Sequence, residues 1–256
     1  MVFKKLKASL GSGVSVDTVL TSPNVAPGGV LGGEVRFTGG TVDYDVEGIT
    51  LNLVARVEVE SGDEEYNADV TFHKFEAAGR FQLAKGARHA VPFHFSVPWE
   101  TPVTVMSGQL LPRMSVRVQT ELSLARALDK DDSDPIHVHP LPAQQRLFDA
   151  LSRLGFPFRG ADLEKGRVHG SSLPFYQELE FGPAAQYASA MKELEVTFIG
   201  GPTSMDVLLE IDKRGGFLTA GSDAYNRFTV DYATAEQHDW ESWLHQRLAA
   251  LTQRRF

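Results

Sequence analysis

Cysteine is absent from all 256 residues, and its absence excludes several classes of site together. Without a thiol, the chain has no thiolate nucleophile, no iron–sulfur cluster and no cysteine-based zinc site. The same absence favours a reducing compartment. No apolar run approaches the roughly 18 residues of a membrane span, and the start "MVFKKLKASLGSG" lacks the apolar stretch of a secretory signal. The composition therefore predicts a cytoplasmic protein.

Positive charge is scarce as well: 25 Lys and Arg stand against 33 Asp and Glu, a formal net charge of −8. Nucleic-acid binding needs clustered cations, so nucleic acid is not expected as a partner. The chain has no HExxH, P-loop or G-x-S-x-G motif, and "GSGVSV" lacks the third glycine of a dinucleotide fingerprint. Ser, His and acidic residues are scattered, so no triad is predicted. We expect a protein without catalytic residues or a cofactor.

What the first half does contain is alternation of apolar and polar residues with a period of two. The segment "ITLNLVARVEVE" shows it most clearly, and "AVPFHFSVP" and "MSVRVQTELSL" repeat it, with Gly and Pro between the segments. Period two predicts strands with one buried face, and short strands between turns are typical of a β-sandwich. The predicted buried residues of the first segment are Ile49, Leu51, Leu53, Ala55, Val57 and Val59.

The pattern changes in "DKDDSDPIHVHPLP", an acidic run followed by prolines. Leu147, Leu151 and Leu154 then recur at helical spacing, and Gly155 ends the predicted helix. We interpret the acidic run as a solvated loop beside a domain boundary. The predicted organisation is a first domain over residues 1–133, a linker over 134–142 and a second domain over 143–235 that begins with the helix.

Alternation returns in "ELEVTFIGG" and "MDVLLEIDKRGG", which predict a hairpin joined by "GGPTS". The end of the chain, residues 236–256, has one apolar face and predicts an amphipathic helix, with Thr234 and Gln237 matching a capping box. We expect this helix to dock on its own domain, with a partner-binding face as the alternative. The fold class is all-β: two β-sandwiches in tandem, a short interdomain helix and a C-terminal helix.

His137 and His139 form the best candidate for a metal site. An extended backbone places both imidazoles on one face, but zinc takes three or four ligands, and the acids nearby complete no ligand pattern. The acidic run also lacks the glycine of a calcium loop. We therefore interpret the pair as part of an extended connector. A metal-binding enzyme or sensor centred on His137 and His139 is kept as the alternative function.

The basic start "FKKLK" raises the question of a membrane surface. Its three lysines, Lys4, Lys5 and Lys7, are too few for stable anchoring. We interpret the segment as an edge strand whose lysines discourage pairing with other chains. Membrane contact is expected to be peripheral at most.

The segment "FQLAKGARHAVPFHFSVPWETPV" resembles the signature of arrestin-type proteins. The order of further segments resembles the bacterial sporulation-control protein family, which is arrestin-like and of the SpoOM type, from about residue 3 to the C-terminus. Among these segments are "FKKLKASLGSGVSVDTVL", "HVHPLPAQQRLFDALSRLGF" and "LEVTFIGGPTSMDVLLEID". The residues that match the arrestin-type signature are Leu83, Gly86, Pro92, Phe93, Phe95, Pro98 and Pro102.

The resemblance implies two arrestin-like β-sandwich lobes, with "HVHP" in the segment between them. It implies a non-enzymatic regulatory adaptor that binds other proteins in the control of sporulation, development or stress response, and it offers no catalytic residues. Arrestins hold a charged cluster between their lobes as a conformational lock. Candidate members here are Arg36, Arg113, Asp206 and Asp212.

Overall fold

The computed structural model describes residues 13–62, 64–213 and 226–253. Its content is mostly β-strand, with two α-helices in the described residues, α1 at Pro142–Arg153 and α2 at Trp240–Gln253, which confirms the predicted fold class. Neither of these helices is long and apolar enough to cross a membrane. The segment "FKKLK" lies outside the described residues. The strands are β1 Ser15–Leu20, β2 Asn24–Val25, β3 Val30–Thr38, β4 Tyr44–Ser61, β5 Glu64–Ala78, β6 Phe81–Leu83, β7 Arg88–Ser96, β8 Val105–Met106, β9 Gln109–Leu110, β10 Val116–Leu124, β11 Lys130–Val138, β12 Phe158–Lys165, β13 Phe175–Phe181, β14 Met191–Gly200, β15 Ser204–Lys213 and β16 Asn226–Asp231.

One sheet of eleven strands runs through both halves of the chain, in the order β16-β15-β14-β13-β12-β4-β10-β11-β2, with β5 and β6 also paired to β4. The halves of this sheet meet where β12 lies parallel to β4 through the single residue pair Glu164 and Glu58. The strands predicted as a hairpin, β14 and β15, are antiparallel neighbours. A second sheet contains β1, β3 and β7.

The first hydrophobic core lies between the three-stranded sheet and the strands β4, β10 and β11. Every second residue of β10 is buried, from Val116 to Leu124, as period two predicts. Two buried threonines, Thr18 and Thr120, join the layers through their hydroxyl groups, 2.6 Å apart, so neither hydroxyl is buried without a partner. We call the part of the molecule around this core the first lobe.

The second core lies between the strands β12–β15 and the two helices; we call this part the second lobe. In the described residues the helices form the layer that covers the sheet, and a second β-sandwich stays a prediction. Helix α2 docks on its own lobe, as predicted: Leu244 and Leu248 are buried, and the Tyr187 hydroxyl lies 2.8 Å from Nδ1 of His245. Burial of this apolar face is the main stabilisation of such a helix.

Two local predictions are wrong. The acidic run is strand β11, antiparallel to β10, because Lys130, Ile136 and Val138 alternate inward and are buried. Helix α2 begins at Trp240 rather than after Thr234, because Asp239 caps it: the backbone N–H of Ser242 donates to its carboxylate at 3.1 Å. The predicted domain bounds stay a prediction, although residues 134–138 of the linker belong to β11.

Candidate functional site: an acidic ladder across both lobes

A row of carboxylates crosses five neighbouring strands of the large sheet, from β4 in the first lobe to β15 in the second. We call this row the acidic ladder: Glu58, Asp162, Glu164, Glu178, Glu195 and Glu210. In the strand register the six form three directly opposed pairs: Glu58 with Glu164, Asp162 with Glu178, and Glu195 with Glu210. Like charges directly opposite each other in a sheet are destabilising, so stability does not account for the ladder.

Period two places these side chains on one face of the sheet. Most of their neighbours in sequence point the other way and are buried in the cores. The ladder residues themselves are half-buried. The buried neighbours include Val57, Leu163, Leu179, Val196 and Leu209.

Burial and mutual repulsion shift the titration of the ladder. Burial first, and then neighbouring carboxylates, raises the pKa of Glu178 to about 8. The same two causes raise the pKa of Asp162 and of Glu195 to about 7 each. The pKa values of Glu58 and Glu164 are also raised, mainly by burial. At neutral pH the ladder therefore holds protons and titrates as a coupled group.

Two cavities open onto the ladder, each of about 360 Å³. The second-lobe cavity has Glu178, Glu195 and Glu210 in its wall, together with the apolar Leu208 and the ring of Tyr176. Arg167, His169 and Arg227 also line it. The first-lobe cavity is lined by Arg56, Glu58, Glu65, Asn67, Arg113, Asp162 and Leu163. Each cavity thus presents three carboxylates.

Arg227 is held in place by a partner outside the ladder. Its Nη2 lies 2.6 Å from Oδ2 of Asp206, and its Nη1 donates to the carbonyl oxygen of His169 at 2.5 Å. Burial raises the pKa of Asp206, but hydrogen bonds from Thr229 and Arg227 outweigh it and lower that pKa. The ion pair and this hydrogen bond use three of the five N–H groups of the guanidinium, so Arg227 lines the cavity while its charge is paired with Asp206.

A second contact between the halves of the chain is made by residues 99–103, which reach from the first half to the second lobe and are neutral or paired there. The Gln177 amide donates to the Val103 carbonyl at 2.8 Å and accepts its N–H at 3.0 Å. Glu100 accepts hydrogen bonds from the side chains of Ser171, at 2.5 Å, and Ser172, at 2.6 Å. These pairs satisfy the buried polar groups of the segment.

His137 and His139 lie at the end of β11, beside β2. The backbone N–H of His137 donates to the Pro23 carbonyl at 2.7 Å, and Nε2 of His139 lies 2.9 Å from Oδ1 of Asn24. In the described residues, the groups of potential metal ligands that come close together consist of ladder residues and exclude both histidines. Among the residues that the structure describes, no such group supports the metal alternative at this pair.

The four candidates for a charged lock do not form one cluster. Arg36 pairs with Glu34 on the three-stranded sheet, and Asp212 pairs with Lys192 at 3.3 Å. Asp206 pairs with Arg227. Of the four, Arg113 lies beside the ladder, where its charge lowers the pKa of Glu58 against the larger effect of burial.

Sequence reasoning missed the ladder itself. A signal was present, because acids recur at the polar positions of the later strands, in "DLEK", "YQELEF", "KELEV" and "LLEID". Each of these acids, taken alone, is typical of the solvent-exposed face of a strand. The order of the strands, which stacks these acids side by side, is not written in any one segment.

Comparison with known proteins identifies the family. A sequence model of the family described as SpoOM protein matches residues 3–215. The sporulation-control protein Spo0M of Bacillus subtilis (strain 168) is 36% identical over 214 residues, which cover 83% of this chain and 81% of that protein. The crystal structure of Spo0M from Bacillus subtilis matches with a TM-score of 0.84 and 29% identity, over 94% of this chain and 100% of that one. The predicted resemblance is confirmed, and the chain belongs to the SpoOM family of sporulation-control proteins, with its arrestin-like, mostly β fold.

Proposed function

We propose that this protein is a non-enzymatic regulatory adaptor, which acts by binding other proteins in the control of sporulation, development or stress response. Similarity to the sporulation-control protein Spo0M supports the regulatory role. The observation that carries the binding role is the acidic ladder, a strained row of carboxylates between two open cavities on a face shared by both lobes. Carboxylates whose pKa values are strongly shifted, at no gain in stability, are typical of functional sites.

The shape of the site favours recognition of a macromolecule. The ladder spans five strands, and neighbouring strands lie about 4.8 Å apart, so the row is roughly 19 Å long. A surface of that length fits a segment of a protein chain better than it fits a small metabolite. The net charge of −8 supports a protein partner over nucleic acid. The cytoplasmic location predicted from the sequence belongs to the same proposal.

A quantitative pull-down tests the adaptor role. The tagged full-length chain is incubated with lysate of its own cells during starvation, and captured proteins are compared with those on a tag-only resin. We expect a reproducible set of proteins above that background, captured in amounts that rise with the concentration of the tagged chain. Capture of nothing above background would contradict the proposal. Turnover of a metabolite that is lost on substitution of one cavity would also overturn it.

A further inference from the structure

Strand β5 forms a long exposed edge of the large sheet. It spans 15 residues, and in the described part of the chain β4 is the one strand that pairs with it. The side of β5 that faces away from β4 therefore carries backbone N–H and C=O groups that none of the described strands pairs with. Such an edge is a template for pairing with another chain, and proteins usually shorten, bend or interrupt it.

Other strands at the edges of the two sheets show these protective features. Strand β2 has two residues, β6 has three and β16 has six. Pro92 lies in the middle of β7 and offers no N–H to a pairing strand. On β1, the backbone N–H of Thr18 already donates to the Asp132 carboxylate at 2.7 Å. Strand β5 is long and contains no proline, so its edge is open to pairing.

Part of β5 is regular enough to pair along its outer side. The register between β5 and β4 shifts between Ile49 and Thr50 and again between Leu53 and Val54. From Val54 to Ser61 of β4 the register is continuous, opposite residues 71 to 64 of β5. A shift of register disrupts further pairing, so the regular part is residues 64–71, which we call the β5 edge.

The two faces of the β5 edge differ in polarity. On one face Tyr66 is 50% exposed, and Ala68 and Val70 are half-buried. The other face is polar and exposed, and its side chains are those of Glu65, Asn67, Asp69 and Thr71. A strand that pairs with this edge must offer apolar side chains to the first face and must not place acids against the second.

We propose that the β5 edge binds the β5 edge of a second copy of this chain, as an antiparallel pair whose two-fold axis passes beside Ala68. The large sheets of the two copies would then continue into one another. A two-fold contact uses the same surface on both copies, so this surface must be complementary to itself. The inference goes beyond the proposed adaptor role and does not depend on it.

The apolar face of the edge is complementary to itself in this register. Ala68 lies opposite Ala68 of the second copy, and Tyr66 lies opposite Val70 of the second copy. An aromatic residue opposite a β-branched one is a favourable cross-strand pair. The symmetry repeats the Tyr66–Val70 pair on the other side of the axis, so both exposed tyrosine rings gain an apolar neighbour.

The polar face also matches, because no two acids lie directly opposite each other. Glu65 lies opposite Thr71 of the second copy, and Asn67 lies opposite Asp69 of the second copy. Asp69 accepts hydrogen bonds from Arg117 at both carboxylate oxygens, and each oxygen has a further lone pair for the Asn67 amide.

Neighbouring registers are less favourable. Directly opposed residues point to the same face of a sheet, so a symmetric register has its axis beside a single residue. An axis beside Asn67 would place Glu65 directly opposite Asp69 twice, and an axis beside Asp69 would place the two copies of Asp69 opposite each other. Like charges in these positions are destabilising. An axis farther from the middle of the edge would pair fewer residues.

The absence of cysteine from the chain makes this register directly testable. Ala68→Cys places one thiol on each side of the axis, where opposed Cα atoms lie about 4.5–5.5 Å apart, within the range of a disulfide. The matched variant is Thr71→Cys on the same edge, whose two Cα atoms would lie about 20 Å apart in the pair. Both full-length variants are oxidised with glutathione, and circular dichroism checks that they fold.

We expect Ala68→Cys to form a disulfide-linked dimer on a non-reducing gel and Thr71→Cys to remain monomeric under the same conditions. Equal yields of linked dimer from the two variants would show random collision rather than this register. That result would overturn the proposal, as would a folded Ala68→Cys variant that does not link.

Charge at Thr71 gives a second test that needs no covalent link. Thr71 is exposed and faces Val54 of its own chain. In the dimer, Thr71→Glu would oppose Glu65 of the second copy twice and weaken association by about fivefold, whereas Thr71→Lys would strengthen it by about the same factor. Gln82→Glu and Gln82→Lys, at the exposed position of β6, change the net charge equally and serve as controls.

Sedimentation equilibrium measures the association of the wild type and of these variants. We expect the mean mass of the wild type to rise towards twice that of the monomer as its concentration increases. A wild type that stays monomeric at every concentration would overturn the proposal. Equal association of Thr71→Glu and Thr71→Lys, or the same difference between the two Gln82 controls, would place the contact away from the β5 edge and overturn it as well.

Discussion

Two of the contacts between the halves of the chain are built in opposite ways. At residues 99–103, Gln177 satisfies both backbone groups of Val103. The Trp99 ring packs near Tyr232, with centroids 6.2 Å apart, although the Tyr232 hydroxyl is buried without a hydrogen-bond partner among the described residues. At the junction of β4 and β12, Glu58 directly faces Glu164. The first contact is hydrogen-bonded at Val103, and the other holds like charges together.

The difference assigns separate roles to the two contacts. Matched hydrogen bonds and close packing stabilise the arrangement of the lobes, whereas directly opposed carboxylates oppose it. The satisfied contact can therefore maintain the strained one. That division explains how the molecule keeps a row of mutually repelling carboxylates without losing its fold.

The largest expected effect comes from crowding the satisfied contact. A Cβ at Gly200 would overlap the backbone carbonyl oxygen of Trp99, and backbone cannot move aside cheaply. We expect Gly200→Ala to lower the free energy of unfolding by about 3 kcal/mol, measured by denaturant unfolding. The control is Gly79→Ala, whose new Cβ would lie 3.8 Å from its nearest neighbour, a side-chain oxygen of Glu76. Equal stability of the two variants would show that this contact does not hold the lobes.

A smaller loss is expected when the same contact loses its hydrogen bonds. Gln177→Ala leaves the N–H and carbonyl of Val103, a residue 1% exposed, without their partner. We expect a loss of about 2 kcal/mol, the typical cost of unsatisfied buried polar groups, measured by thermal unfolding. Gln82→Ala, at the exposed position of β6, is the control. An unchanged melting temperature for Gln177→Ala would contradict the stabilising role of this contact.

Removing charge from the ladder is expected to act in the opposite direction. The variant Glu178→Gln/Glu195→Gln/Glu210→Gln should raise the free energy of unfolding at pH 8 by about 1–2 kcal/mol, because repulsion and the burial of charge are relieved. Thermal unfolding beside the control Glu47→Gln/Glu76→Gln/Glu236→Gln measures it. A ladder variant less stable than the control would show that the carboxylates support the fold.

The wild type should itself become more stable as the pH falls. Carboxylates with raised pKa values bind more protons in the folded than in the unfolded chain, so stability is highest below about pH 4.5 for these groups and declines towards pH 8. The pKa values of about 7 for Asp162 and about 8 for Glu178 set the upper end of the window. We expect a decline of about 1 kcal/mol between pH 6 and pH 8.5, because partial exposure reduces the effect. The free energy of unfolding of the ladder variant should depend less on pH than that of the wild type. An equal pH dependence of the two proteins would contradict the assignment of this decline to the ladder carboxylates.

The smallest effect is expected at the pair that the sequence singled out. His137→Ala/His139→Ala should change the free energy of unfolding by about 0.5 kcal/mol or less, because the side-chain bond to Asn24 is exposed. Zinc chloride should leave the melting temperature of the wild type unchanged relative to chelator. A zinc-dependent rise that disappears in the variant would revive the metal alternative.

The sequence by itself determined which residues are buried in most strands. Period two in β10 and β4 placed Val118 and Leu53 in the first core, and helical spacing placed Leu147 and Leu151 in the second. It failed at β11, because an acidic strand with Lys130 inside has the composition of a loop. Local periodicity succeeds where burial follows hydrophobicity and fails where a buried polar group replaces it.

Only the tertiary structure decided that acids from residues 58 to 210 stand in one row. The parallel pairing of β12 with β4 joins residues that lie far apart in sequence, and no segment encodes its neighbours in a sheet. The strands pair in the order that lets both hydrophobic cores pack, so their acidic side chains form a row only in the folded sheet. The sequence supplied carboxylates on polar faces; their mutual repulsion, their raised pKa values and the two cavities are properties of the assembled sheet.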